Sequence, residues 1–198
     1  MPKKAKPQKT KSVRKIVKQE LKKNIEMKHY DQFDATGVNL NNAGFFQQMN
    51  AIGQGDANGE RDGDQITMKS LEMAQWVYSD AVSNDRVNMG RVIVFIWTSN
   101  TTPAASDILD NSSNLTHLAP LNDGNKHRIW VLFDSQFIVQ SQTGSQGHVI
   151  KRKVIPIPTR FQKVSYTDST GTTANRLYVY SCSDSTASPA PDYQFHYR

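Results

Sequence analysis

An all-β body forming a single domain is the fold class the sequence predicts, and three observations predict it. Beyond residue 64, short apolar runs alternate with clusters of Gly, Asn, Asp, Ser and Pro, the spacing of a β-sandwich or barrel. Those runs show no internal repeat and no strand–helix–strand rhythm. The chain has 198 residues, which suits one domain with room for a real core.

Taken in order, MPKKAKPQKTKS holds no large apolar residue, so it cannot offset its ordering entropy and is expected to be disordered when free. From Val13 the pattern changes. Val13, Ile16, Val17, Leu21 and Ile25 recur at three- and four-residue spacing, with Ser12 as N-cap, and predict a short basic amphipathic helix over Val13 to Met27. That stripe is too short to stand alone and needs a surface to dock on. Residues 29–63 lack periodicity and read as an extended connection, with Phe45 and Phe46 anchoring it to the core.

QITMKSLEMAQWVY alternates through Ile66 and Met68 and then shifts to Leu71 and Met73, which predicts a bulge; LEMAQ is also compatible with helix. RVIVFIWTS is apolar on both faces and predicts a central strand. The long connection over 101–127 has room for one short helix or strand around SDILD. HRIWVLFDSQFIVQSQ reads as two halves divided near Asp134 and Ser135. In GHVIKRKVIPIPTRFQKVSY, Pro156 and Pro158 demand either two short strands or a kinked edge strand. NRLYVYSCS follows. In the closing DYQFHYR, Tyr193, Phe195 and Tyr197 face one way and Gln194, His196 and Arg198 the other. The tally is about eight strands.

Several function classes are disfavoured. The one cysteine, Cys182, rules out an intrachain disulfide, and its place between strand residues predicts packing rather than nucleophilic chemistry. His29, His117, His127, His148 and His196 are scattered without metal-ligand spacing. No apolar run reaches the roughly 20 residues of a membrane helix, and the charged N-terminus lacks the apolar core of a signal peptide. The sequons at Asn100, Asn111 and Asn114 therefore read as ordinary loop residues in a chain made in a reducing compartment. The expectation is a protein that is not an enzyme, requires no cofactor, and engages neither membrane nor small-molecule substrate.

The charge distribution is more informative. Residues 1–28 carry Lys3, Lys4, Lys6, Lys9, Lys11, Arg14, Lys15, Lys18, Lys22, Lys23 and Lys28 against Glu20 and Glu26, a net of +9. The other 170 residues carry 13 basic and 16 acidic side chains, a net of −3. A flexible polycation on a near-neutral body neutralises phosphates and releases counterions, which binds nucleic acid without regard to base sequence. Lysine is a point charge rather than a bidentate fork, so base-specific readout is not expected. PKKAKPQK also suits nuclear import. Trp76, Phe95, Trp97, Trp130 and Phe133 lie in strongly apolar strands and are expected in the core, leaving no exposed platform for stacking bases.

QGDANGERDGDQI, Gln54 to Ile66, resembles a calcium loop in composition. Read from Asn58, its twelfth position is Lys69 where a bidentate carboxylate is required; read from Asp56, its sixth is Arg61 where glycine is required. It reads instead as a tight acidic turn reversed at Gly55, Gly59 and Gly63, with Asp62 and Asp64 capping it.

The order of parts resembles the coat proteins of small icosahedral viruses of the satellite tobacco necrosis virus type, with related capsid proteins of small circular single-stranded DNA viruses. VRKIVKQELKKNIEMKHY, QGDANGERDGDQI, RVIVFIWTSNTTPAASDIL and RIWVLFDSQFIV carry the resemblance, and from Gly144 on it rests on strand rhythm. It implies an eight-stranded antiparallel jelly roll over 64–198, a connecting segment over 29–63 and a nucleic-acid-binding arm over 1–28. It further implies about sixty copies closing into a shell around a single-stranded DNA or RNA genome, in a virion assembled from protein present in the host cytoplasm or nucleus. Sixty arms would bring on the order of 500 positive charges, enough to offset about half of a thousand-nucleotide strand. Calcium between subunits is a further implication, with Glu26 as candidate ligand, although the ending DYQFHYR departs from the acidic end of that type. The alternatives are a non-viral, sequence-independent nucleic-acid-binding β-barrel module with a basic tail, and a carbohydrate- or receptor-binding jelly roll. The last leaves the arm unexplained.

Overall fold

The computed structural model describes residues 28–57, 59–79, 87–110, 117–140, 147–167, 171–172, 174–186 and 192–198. Ten strands run through them: β1 (Gln32–Asn39), β2 (Phe45–Gln48), β3 (Gln65–Thr67), β4 (Ser70–Ser79), β5 (Val87–Trp97), β6 (Ile129–Gln140), β7 (Gly147–Pro156), β8 (Lys163–Ser165), β9 (Arg176–Ser183) and β10 (Asp192–Tyr197). One short helix, α1 (Ala105–Ile108), and two single turns of 3-10 helix complete the described elements.

Eight strands form two four-stranded antiparallel sheets, ordered β1-β10-β4-β7 and β2-β9-β5-β6. The chain changes sheet between β1 and β2, β4 and β5, β6 and β7, and β9 and β10, so each sheet is assembled from strands far apart in sequence. That alternation is a jelly roll. The remaining pair, β3 and β8, makes a small ribbon of its own.

The core between the sheets is built by alternation. Leu71, Met73 and Val77 of β4 meet Val92, Val94 and Ile96 of β5 and Leu177 and Val179 of β9, with Tyr193, Phe195 and Tyr197 of β10. The opposite faces of β5 and β9 are also covered. Ile93, Phe95, Trp97, Tyr178, Tyr180 and Cys182 pack under Ile108, Leu109 and Ala119 of the β5–β6 connection, forming a second apolar cluster outside the sandwich. Burial on both faces is why RVIVFIW reads as an uninterrupted apolar run. The outer face of the β1-β10-β4-β7 sheet has no such cover among the described residues, and Phe33, Trp76, Ile150 and Val154 are exposed there.

Four expectations are corrected. The supposed connection over 29–63 contributes two strands, so among the described residues the sandwich begins at Gln32 and β1 is an edge strand whose only partner is β10, far along the sequence. The parity shift after Met68 marks passage from the β3–β8 ribbon to the main sheet rather than a bulge within one strand. β6 is one continuous strand through Asp134 and Ser135, and its irregularity is the register step at Leu132, where Val94 opposes Phe133 and Phe95 opposes Val131. Trp76 and Trp130 are not core residues: they are 47% and 45% exposed, Trp76 because it points outward from β4, and Trp130 because β6 is an edge strand, so that although it pairs with Ile96 on the sandwich side it is covered only in part, by Phe161. Phe95 and Trp97 are buried as expected. Phe45 and Phe46 do anchor the early chain, Phe45 against Tyr193 and Phe195 and Phe46 against Tyr180. β7 is an edge strand ended by Pro156, and a turn of 3-10 helix after Pro158 leads to β8.

Candidate nucleic-acid interface

Ten of the eleven predicted phosphate-neutralising residues, Lys3 to Lys23, lie outside the described residues, as do the predicted amphipathic helix and Glu26. Lys28 is described. Its ammonium sits 2.7 Å from Asp62 Oδ1, so the last cation of the arm is pinned to the acidic turn of the body.

That turn is organised by Arg61. Arg61 is 3% exposed, and its guanidinium lies 4.1 Å above the ring of Tyr166. Its Nε donates to Ile52 O at 3.2 Å and Nη1 donates to Gly63 O. The Arg61 backbone closes the turn from both sides, its N–H donating to Gly53 O and its carbonyl accepting from Gly55 N. Glu60 Oε2 accepts from Ala57 N, and Asp64 Oδ1 is 3.5 Å from Arg61 Nη1. Tyr166 in turn donates its hydroxyl to Asn50 O at 2.9 Å, and burial pushes its pKa up to about 12 against the lowering influence of Arg61. A buried cation over an aromatic face, satisfied by carbonyls, is a stable way to hold a loop made mostly of polar residues. Of the three glycines expected to reverse the chain, Gly59 has a positive φ, +99°. Three of the loop's carboxylates, Asp62, Glu60 and Asp64, thus serve a lysine, a backbone amide and an arginine. Among the described residues, no three His, Cys, Asp or Glu side chains gather into a set of metal ligands.

Sequence reasoning assigned Arg61 no role beyond disqualifying the calcium-loop register. A signal was present: a lone arginine amid carboxylates and glycines, ahead of a strand.

Next to this turn, a cleft of ≈ 640 Å³ is lined by Lys28, Tyr30, Asp62, Ile66, Glu72 and Arg198. The root of the arm and the C-terminal residue therefore share one end of the molecule, and β1 and β10 are paired from Gln32↔Tyr197 onward. Cys182 is buried in β9 and its thiol is pushed up to about 11 by that burial, so it packs as expected. A second feature missed in the sequence is the half-exposed Trp130, whose ring carries the Arg160 guanidinium 3.5 Å above it.

The family model of the satellite tobacco necrosis virus coat protein matches residues 1–193, which takes in both the basic arm and almost all of the sandwich. The chain belongs to that coat-protein family. No individual curated protein matches it. Membership makes this coat protein a structural component of a virion, and the two-sheet jelly roll is the shell-type body that the resemblance implied.

Proposed function

We propose that this coat protein assembles with further copies of itself into a small icosahedral shell and packages a single-stranded genome through its lysine-rich arm. The observation that carries this reading is the family match over residues 1–193, which joins arm and body in one unit. The charge asymmetry supports it: a net of +9 over residues 1–28 on a body of net −3 is a polyanion tether on a scaffold. The pairing of Lys28 with Asp62 supports it further, since it fixes the point at which the arm leaves the body.

Two measurements test it. Electron microscopy of the expressed protein should show uniform closed shells, and a stable monomer in the presence of nucleic acid would contradict assembly. Binding of single-stranded oligonucleotide should weaken with salt at a log–log slope of roughly −7, the value for the ten arm cations other than the paired Lys28 at about 0.7 each. Replacing Lys3, Lys4, Lys6, Lys9 and Lys11 with Gln should flatten that slope by roughly 3.5. An unchanged slope would remove the arm from the mechanism.

A further inference from the structure

The chain covers one sheet of its sandwich with its own β5–β6 connection and leaves the outer face of the other sheet bare among the described residues. That bare face is ordered by register into two cross-strand rows. Phe33, His196, Ala74 and Arg152 form one row across all four strands, and Gln194, Trp76 and Ile150 form the next. Ala74, the smallest side chain, floors a groove of ≈ 300 Å³ walled by Trp76 and Ile150 on one side and by Phe33 and His196 at one end, with Arg152 at the other. Phe33 is 69% exposed and Trp76 47%, an unusual cost for large rings on a protein surface unless something covers them.

We infer that this groove is a contact site for single-stranded nucleic acid, in which a base stacks on Trp76 above Ala74 and a phosphate meets Arg152. The inference rests on the packaging reading above and extends it from the arm to the body. Three observations choose nucleic acid over a second protein copy. The ionisable side chains within the two rows are Arg152 and His196; the carboxylates beside them are Asp31, 3.0 Å from His196 Nε2 and 3.9 Å from Arg198 Nε, and Glu72, paired with Val154 in the adjoining row, so the groove itself holds Arg152 and no carboxylate. The groove presents two exposed rings, Trp76 and Phe33, beside the small side chain of Ala74, which suits a planar base. The arm joins the body at Lys28, and β1 delivers Phe33 to the face five positions later, so a strand held by the arm starts at the mouth of this groove.

The test uses the full chain with oligo(dT) and oligo(U) of about twenty nucleotides, each also prepared with a photoreactive iodinated base. Crosslinks should map to Trp76 or Phe33, and the two oligonucleotides distinguish a DNA from an RNA preference. Trp76→Ala should weaken binding about tenfold without changing the salt slope, Trp76→Phe should restore most of the loss, and Arg152→Ala should flatten the slope by about 0.7. Crosslinks confined to the arm, or unchanged affinity in Trp76→Ala, would overturn the site while leaving arm-driven packaging intact. Loss of shell formation in Trp76→Ala with undiminished oligonucleotide affinity would also overturn it and assign the face to a neighbouring copy. If the full chain bound neither oligonucleotide, the packaging reading and this inference would fall together.

Discussion

Arg91 and Asp134 form a two-pronged ion pair across β5 and β6, with Nε 2.8 Å from Oδ1 and Nη2 2.6 Å from Oδ2. The third arm of the guanidinium, Nη1, donates to Ala119 O at 2.5 Å, in the connection that covers this sheet. One side chain thus ties the cover to the strand beneath it, and Asp134 stabilises its charged form.

Removing one partner of a largely desolvated pair leaves the other uncompensated. Asp134→Asn should therefore lower stability by about 2–3 kcal/mol, discounted because the Asp134 side chain is 30% exposed. Arg91→Met with Asp134→Leu should be less harmful than the sum of the single changes. Urea unfolding of the three variants measures the coupling directly.

Gly90 in β5 lies opposite Phe137, and a Cβ there would fall 2.2 Å from the ring. Gly90→Ala should cost about 1–3 kcal/mol through overpacking. Adding Phe137→Leu should recover part of that loss, which a thermal melt of the double variant checks.

Arg61→Met keeps the apolar stem of the side chain over Tyr166 but deletes its donors to Ile52 and Gly63. The loss should be about 1–3 kcal/mol, felt first in the turn itself. Amide exchange at Gly55 and Arg61, whose N–H groups bond within the turn, should accelerate well before exchange in β5 does.

Alkaline pH should destabilise the fold. Burial raises the Cys182 thiol from an ordinary 9.0 to about 11, and Tyr166 and Tyr193 from 10.0 to about 12. A raised folded pKa means the folded state binds more protons in the window between the two values, so stability is intact below pH 9 and falls from 9 toward 12. Lys151 runs the other way, since burial lowers it from 10.5 and its contribution grows with pH, but it is one group against several. Urea midpoints should be equal at about pH 7 and 8.5 and clearly lower near pH 10.5.

The parts of the fold legible in the sequence were those whose burial leaves a local pattern. β5 announced itself because Val92, Val94 and Ile96 face one cluster and Ile93, Phe95 and Trp97 the other. β10 did so through the alternation of Tyr193, Phe195 and Tyr197. β1 and β2 did not, because QFDATGVN and FFQQ are edge strands whose partners arrive more than a hundred residues later. β4 misled in a different manner: Gln75 points inward and Trp76 outward. Gln75 is accommodated because its Nε2 donates to the hydroxyls of Tyr193 and Tyr197 at 2.6 and 2.8 Å, a pairing visible only once β4 and β10 are side by side. For the same reason the arm could be read as a charge count, whereas the groove over Ala74 could not be read at all. Its walls come from four strands.

The pairing of Gln32 with Tyr197 has a practical corollary. A peptide joined genetically after Arg198 would start beside Lys28, at the root of the arm, because both line one cleft. In the shell proposed above, a passenger attached there would start on the side of the arms without drawing on their lysines.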